Sequence, residues 1–100
     1  MPSTDIQLDE KIKVTAQEPR RWKVILLNDD STPMEFVISL LIEIFKHTTE
    51  TAKDIMLQVH ETGSGIAGVY SFEIAEVKAV EATQQARTNG FPLQIKLEEE

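Results

Sequence analysis

Four polar side chains in this sequence have the chemistry to bind a cationic group. Asn28, Asp29 and Asp30 follow one another directly after a short apolar run. His60 comes later, at the end of an apolar stripe with helical spacing. Amide and carboxylate oxygens accept charge-assisted hydrogen bonds from an ammonium group, and a neutral imidazole can accept another. Two adjacent acids are more than a simple turn needs, so we interpret this corner as a candidate site for a free amine.

The same residues also have structural and enzymatic interpretations. The corner can be an Asx turn that caps backbone N–H groups where a strand meets a helix. His60 can be a histidine at the edge of the core, satisfied by a backbone carbonyl. Metal-assisted hydrolysis would use Asp29, Asp30 and His60, but a zinc site needs three convergent ligands and the sequence offers no firm third ligand and no convincing nucleophile. We therefore expect no metal and no cofactor.

Composition restricts the classes of function. The 100 residues are 41% hydrophobic, which suits one small domain with a modest core and no large substrate cleft. Cysteine is absent, which excludes disulfides and thiolate metal sites. The net charge of -7 disfavours nucleic acid and anionic membranes as partners. No apolar run has membrane-spanning length and residues 1–16 lack the apolar block of a signal peptide, so we expect a cytoplasmic protein.

The N-terminal residues differ from the rest of the chain. Residues 1–21 contain two prolines, no aromatic residue, four acids and four bases. Such a segment has little to bury, which predicts a flexible N-terminal extension, although the alternation of Ile6, Leu8, Ile12 and Val14 also fits a short edge strand. Because the extension is neutral, residues 22–100 carry the whole net charge and form the predicted domain.

Periodicity and capping signals predict the elements of that domain. Residues 22–27 are a buried strand, and Thr32 with Glu35 forms a capping box for a helix over residues 33–47. Thr48 or Thr49 caps a second helix, which Gly63 ends as a left-handed cap, and this helix puts Met56 and His60 one turn apart.

The remaining residues complete the topology. Residues 63–72 form a turn and a strand in which Gly68 marks a bulge or a close approach, and Ser71 caps a third helix that stops at Asn89 and Gly90. The alternation of Leu93, Ile95 and Leu97 with polar residues predicts a half-buried last strand. The order β-α-α-β-α-β indicates an α+β fold, a small two-layer sandwich with a three-stranded antiparallel sheet packed against three helices.

Several of these segments resemble the ClpS family of adaptor proteins. The similar blocks are residues 23–30, 32–37, 55–57 with His60, 68–70 and 75–78, in the expected order within residues 22–97. The resemblance implies an adaptor that binds proteins with a destabilising N-terminal residue, here Phe, Leu, Tyr or Trp. It further implies delivery of these N-degron substrates to the N-terminal domain of a ClpA- or ClpC-type AAA+ unfoldase and its peptidase, with no enzymatic activity. We expect a monomer.

The resemblance also implies roles for individual residues. The α-amine of the substrate would be held by four polar residues: Asn28, Asp29, Asp30 and His60. The first side chain would enter a pocket lined by five residues, namely Thr32, Met34, Val37, Met56 and Leu93, with Met34 as a gate against β-branched residues. Glu73 and Lys78 would contact the unfoldase. Ser31 and Val77 depart from the family pattern, which has Tyr and Thr in many members. A general protein-interaction domain without amine recognition remains the alternative.

Overall fold

The computed structural model describes residues 20–100, which form one three-stranded sheet and three helices. The elements, in chain order, are β1 (Arg21–Leu27), α1 (Met34–Glu43), α2 (Thr49–Thr62), β2 (Ser64–Ser71), α3 (Phe72–Thr88) and β3 (Gln94–Glu99). This order and the α+β class confirm the sequence prediction. None of these helices is long and apolar enough to cross a membrane. The predicted extension over residues 1–21 lies outside the described residues, except that Arg20 is included and Arg21 already belongs to β1.

The sheet has β1 at its centre, in the order β2-β1-β3, with both pairings antiparallel. Because β1 has a hydrogen-bonded strand along each edge, the two neighbouring strands shield its continuously apolar middle from solvent. Val24 and Leu26 are fully buried on the face that carries the helices. Ile25 points to the opposite face and is 8% exposed. The most apolar strand is therefore the one that both neighbours protect.

The hydrophobic core lies between this sheet and the helices. The apolar stripe of α1 contributes Leu40 and Leu41, which are fully buried, and α2 contributes Met56 and Val59. The buried residues of α3 are all small: Ala75, Ala82 and Ala86. Small side chains allow α3 to approach all three strands, which it contacts along its length. The core thus joins β1, which leads into the acidic turn, to α1 and α2, which carry other predicted site residues such as Val37 and Met56.

The first helix is shorter than the sequence predicted. It ends at Glu43, with Ile44 as its C-cap, instead of continuing to His47. Lys46 adopts a left-handed conformation with a φ of 62°, and the backbone N–H of His47 donates to the Leu41 carbonyl. Ile44 and Phe45 are nevertheless buried beyond the helix end. This burial preserves the apolar spacing after the helical geometry has stopped, which is why the periodicity overestimated the length.

The second strand contains the irregularity expected near Gly68. Val24 pairs with Gly68 but Ile25 pairs with Ile66, so Ala67 is an extra residue on β2. Its carbonyl is satisfied from outside the sheet by Nε2 of His47. A histidine satisfied by a backbone carbonyl was considered for His60, and the structure shows that arrangement at His47 instead.

The ends of α2 and α3 follow the predicted signals with one exception. Thr48 caps α2 by accepting from the Thr51 N–H at 3.2 Å, and Gly63 ends it with a φ of 94°. At that φ a side chain would be strained, so glycine fits the position. Asn89 follows the last residue of α3, as expected. Ser71 stands at the start of α3, but its side chain makes no capping hydrogen bond.

Candidate functional site

The acidic corner connects the end of β1 to the start of α1. Its first residue is fixed by the backbone, because the N–H of Asn28 donates to the Gly63 carbonyl at 2.9 Å. Gly63 immediately follows α2, the helix that carries Met56 and His60. A single backbone hydrogen bond therefore ties the corner to the end of the helix that supplies the other predicted residues.

Asp29 organises the corner by accepting three hydrogen bonds. Its Oδ1 accepts from the backbone N–H groups of Ser31 and Thr32 at 2.8 and 2.7 Å, and its Oδ2 accepts from the Thr32 hydroxyl at 2.7 Å. This is the Asx-turn arrangement that the sequence left open. Burial alone would raise the pKa of the Asp29 carboxyl, but the bonds from Thr32 and Ser31, together with the positive charge of Arg87, hold that pKa below its usual value of 3.8. Asp29 is therefore ionised at neutral pH.

The predicted capping box of α1 is wrong. Pro33 occupies the N-cap position and no side chain caps the helix. The hydroxyl of Thr32 donates to Asp29 instead of accepting a backbone N–H. The Asp29 carboxylate lies three residues before Thr32 and is a stronger acceptor than water, so the Thr32 hydroxyl donates its hydrogen bond to Asp29. Asp29, which the sequence analysis assigned to substrate binding, thus holds the turn. Thr32, which it assigned to capping the helix, donates to Asp29.

A small cavity opens beside this corner. It has a volume of about 10 Å³, which is room for about one water molecule. Polar groups line it on the corner side and apolar groups elsewhere; the lining residues are Leu27, Asn28, Asp29, Thr32, Val37, Met56, Val59 and Leu93. Such a cavity can satisfy a polar group at one end and an apolar group at the other. A large side chain fits only if some of the walls move.

The wall that contains Leu93 is held by the loop between α3 and β3. Nη1 of Arg87 donates to the carbonyls of Phe91 and Leu93 at 3.0 and 2.8 Å. The ring of Phe91 packs edge-on against Phe36 of α1, with the ring centroids 4.9 Å apart. Leu93 itself is 1% exposed. Loop and helix contacts together fix this wall of the cavity.

The structure brings together six of the nine residues predicted to bind substrate. These six line the cavity: Asn28, Asp29, Thr32, Val37, Met56 and Leu93. The other three do not line it. Asp30 and His60 are exposed, and Met34 is 41% exposed at the start of α1.

Sequence reasoning missed two lining residues, Leu27 and Val59. Val59 belongs to the apolar stripe of α2 that also contains Met56, so helical spacing contained its signal. Leu27 was part of the predicted strand, and its position directly before Asn28 was the only indication that it faces the site. Both residues lay in segments interpreted as core.

The two residues predicted to contact an unfoldase lie on α3. Glu73 is exposed in the first turn of that helix. Lys78 is half-buried: its Nζ donates to the Ile44 carbonyl at 2.7 Å and lies 5.4 Å from the centroid of the Tyr70 ring. Lys78 therefore also satisfies the carbonyl at the end of α1. Within residues 20–100, no three side chains of the kinds that hold metal ions come together.

A hydrogen-bonding corner that closes one end of an apolar cavity is characteristic of a domain that binds a ligand with both a polar and an apolar part. The chain matches the family model described as "ATP-dependent Clp protease adaptor protein ClpS" over residues 17–96. It belongs to the ClpS family, so it is a protease adaptor and not an enzyme.

Individual relatives agree with the family model. The chain is 48% identical over 95 residues to the ATP-dependent Clp protease adapter protein ClpS of Oleidesulfovibrio alaskensis, covering 95% of this chain and 88% of the relative. The protein of the same name from Bdellovibrio bacteriovorus is 54% identical over 82 residues, which cover 82% of this chain and 72% of that relative. Agrobacterium tumefaciens ClpS2 bound to L-phenylalaninamide is similar in structure, with a TM-score of 0.80 and 42% identity over 83% of this chain and 100% of that one.

Proposed function

We propose that this adaptor binds the free α-amine and the large hydrophobic first residue of N-degron substrates, and delivers them to a Clp-type AAA+ unfoldase and its peptidase. The observation that carries the proposal is the position of the acidic corner at one end of an apolar cavity. An N-terminal Phe, Leu, Tyr or Trp presents a cation and an apolar side chain on the same carbon atom. The polar lining of the cavity matches the cation, and its apolar lining matches the side chain.

The polar end would hold the amine. An ammonium group has three donors and no acceptor, so it needs several oxygens or neutral nitrogens around it. Asn28 and Asp30 are exposed, and among residues 20–100 their side chains have no hydrogen-bond partner, which leaves their oxygens available. His60 is equally exposed and would accept through a neutral ring nitrogen. Asp29 would contribute charge while it holds the turn, since its oxygens are already occupied.

The apolar end would take the side chain of the first residue. Val37, Met56 and Leu93 are almost fully buried and offer an apolar surface. Burying a large side chain contributes roughly 1.5 to 3 kcal/mol, and each hydrogen bond to a charged group roughly the same before ordering costs. These terms together support a micromolar complex, at about -8 kcal/mol. A flexible methionine such as Met56 can move to widen the cavity, and the exposed Met34 would act as the gate against β-branched residues.

The structural neighbour supports the same chemistry. L-phenylalaninamide, the molecule named with Agrobacterium tumefaciens ClpS2, has a free amine, a benzyl side chain and an amide in place of a carboxylate. It therefore stands in for the first residue of a peptide.

Delivery would use a different part of the surface. Glu73 is exposed on α3, and Lys78 lies on the same helix. We propose that both contact the N-terminal domain of a ClpA- or ClpC-type unfoldase, and that residues 1–21 engage the unfoldase during hand-over. Val77, which replaces a common Thr of the family, is 55% exposed between them and would alter this contact. A monomer acting in the cytoplasm is part of the same proposal.

Binding of N-terminal peptides tests the proposal directly. Fluorescence anisotropy with peptides that begin with Phe or Leu should show micromolar binding, and acetylation of the amine should weaken it at least tenfold, because the acetylated nitrogen has lost its charge and two donors. His60→Ala should weaken binding of the free peptides, whereas Glu61→Ala, at the next exposed position of α2, should leave it unchanged. Equal affinity for free and acetylated peptides would indicate a general interaction domain and contradict amine recognition.

A further inference from the structure

Arg87 has a geometry that the proposed binding roles do not use. It lies in the last turn of α3, and its Nη1 donates to the carbonyls of both Phe91 and Leu93. A guanidinium nitrogen carries two hydrogens in a fixed plane, so one nitrogen can bind two carbonyl oxygens at a defined angle. The loop that leads into β3 is thereby fixed at two points by one side chain.

The charge of Arg87 also affects Asp29, which lines the same cavity as Leu93. The carboxyl of Asp29 has its pKa raised by burial and lowered more strongly by its hydrogen bonds to Thr32 and Ser31 and by the positive charge of Arg87. The positive charge of the guanidinium therefore favours the ionised form of the carboxylate that organises the acidic corner. One side chain therefore interacts with the Leu93 wall through hydrogen bonds and with the Asp29 wall through charge.

We propose that Arg87 is a positioning residue that fixes the Leu93 wall of the cavity, and so determines which first side chains the cavity accepts. The proposal rests on the proposed function of the cavity as a site for the first residue of a substrate. A cavity of about 10 Å³ must open to admit a large side chain. Arg87 holds the Leu93 wall, so the opening is confined to other walls such as Met56. Preorganisation of one wall reduces the ordering cost of binding.

Variants of Arg87 test this role against a matched control. In the full-length chain, Arg87→Met should weaken binding of peptides that begin with Phe or Leu by about tenfold, and Arg87→Lys by less, because lysine keeps the charge without the planar pair of donors. Asn89→Ala is the control, since within residues 20–100 Asn89 Nδ2 donates only to the Gln85 carbonyl at the end of the same helix. It should leave affinity within about twofold of the wild type.

A double-mutant cycle with Leu93→Ala separates positioning from general stability. If Arg87 acts through Leu93, Arg87→Met should change affinity by less than about twofold in the Leu93→Ala background. Equal losses in both backgrounds, or an unchanged affinity in the single variant, would overturn the proposal. Should Arg87→Met fail to fold, the cycle with Arg87→Lys gives the same two outcomes. If wild-type protein binds free and acetylated peptides alike, the proposed function has failed. If it prefers the free amine but the affinity losses of Arg87→Met and Leu93→Ala are additive, only the positioning role of Arg87 has failed.

Discussion

The hydrogen bonds of Asp29 predict how stability depends on this one carboxylate. Asp29→Asn preserves the shape of the side chain but removes its charge and turns one acceptor oxygen into a donor. The two backbone N–H groups of Ser31 and Thr32 can still bond to the remaining oxygen, whereas the Thr32 hydroxyl must rotate. The substitution thus weakens all three hydrogen bonds without creating a cavity.

The expected magnitude follows from comparable turns. Removing a side chain that caps backbone N–H groups costs about 0.5 to 2 kcal/mol. Charge-assisted bonds contribute more than neutral ones, but Asp29 is only half-buried, so water replaces part of what is lost. We therefore expect Asp29→Asn to lower the free energy of unfolding by about 1 kcal/mol at about pH 7.

The sign of the pH dependence provides a second criterion. A carboxyl whose pKa is lower in the folded state than in the unfolded state stabilises the fold above the unfolded value, and that contribution disappears as pH falls through the folded value. For Asp29 the loss begins near its usual value of 3.8 and continues below it. Because the protonated carboxyl resembles the asparagine amide in charge, wild type and variant should converge in stability as the pH falls through the lowered folded-state pKa of Asp29.

Urea denaturation at several pH values measures both effects. The matched control is Asp30→Asn, which changes the same charge at the adjacent exposed residue, whose carboxylate accepts no hydrogen bond within residues 20–100. Exposed substitutions of this kind usually change stability by less than about 0.5 kcal/mol. The reasoning is refuted if Asp30→Asn costs as much as Asp29→Asn, or if the cost of Asp29→Asn is the same at neutral and at low pH.

Two further predictions concern packing and burial away from the corner. Gly65→Ala should lower the free energy of unfolding by about 1 to 3 kcal/mol, because the added methyl would lie 2.7 Å from Cγ2 of Val59, which lines the cavity. A urea denaturation curve that matches wild type would contradict this close packing. Burial raises the pKa of the Tyr70 hydroxyl above its usual value of 10.0. Tyr70 is the only tyrosine of the chain, so its absorbance should titrate at higher pH in the folded protein than in urea, and coincident curves would show that the ring is exposed.

Much of the fold was predictable because its signals are local. The three strands, which lie within one or two residues of their predicted positions, the cap at Thr48, one of the two threonines predicted, and the left-handed Gly63 all depend on a few adjacent residues. The end of α1 was not predictable in this way. The carbonyl of its C-cap residue Ile44 is satisfied by Lys78, which is 34 residues away, and His47 bonds to the carbonyl of the bulged Ala67 on β2. Such long-range partners cannot be identified from the spacing of apolar residues.

The acidic corner shows why residue type alone left its roles unresolved. Thr32 and Asp29 can each hold a turn, and their order in the sequence does not reveal which of them accepts hydrogen bonds from the backbone. The structure gives that role to Asp29, with the Thr32 hydroxyl as a further donor. One acid is enough to hold the turn, so the second acid, Asp30, and the neighbouring Asn28 are not needed for it. Among residues 20–100 the side chains of Asn28 and Asp30 accept no hydrogen bond, so they are available for the amine binding proposed above.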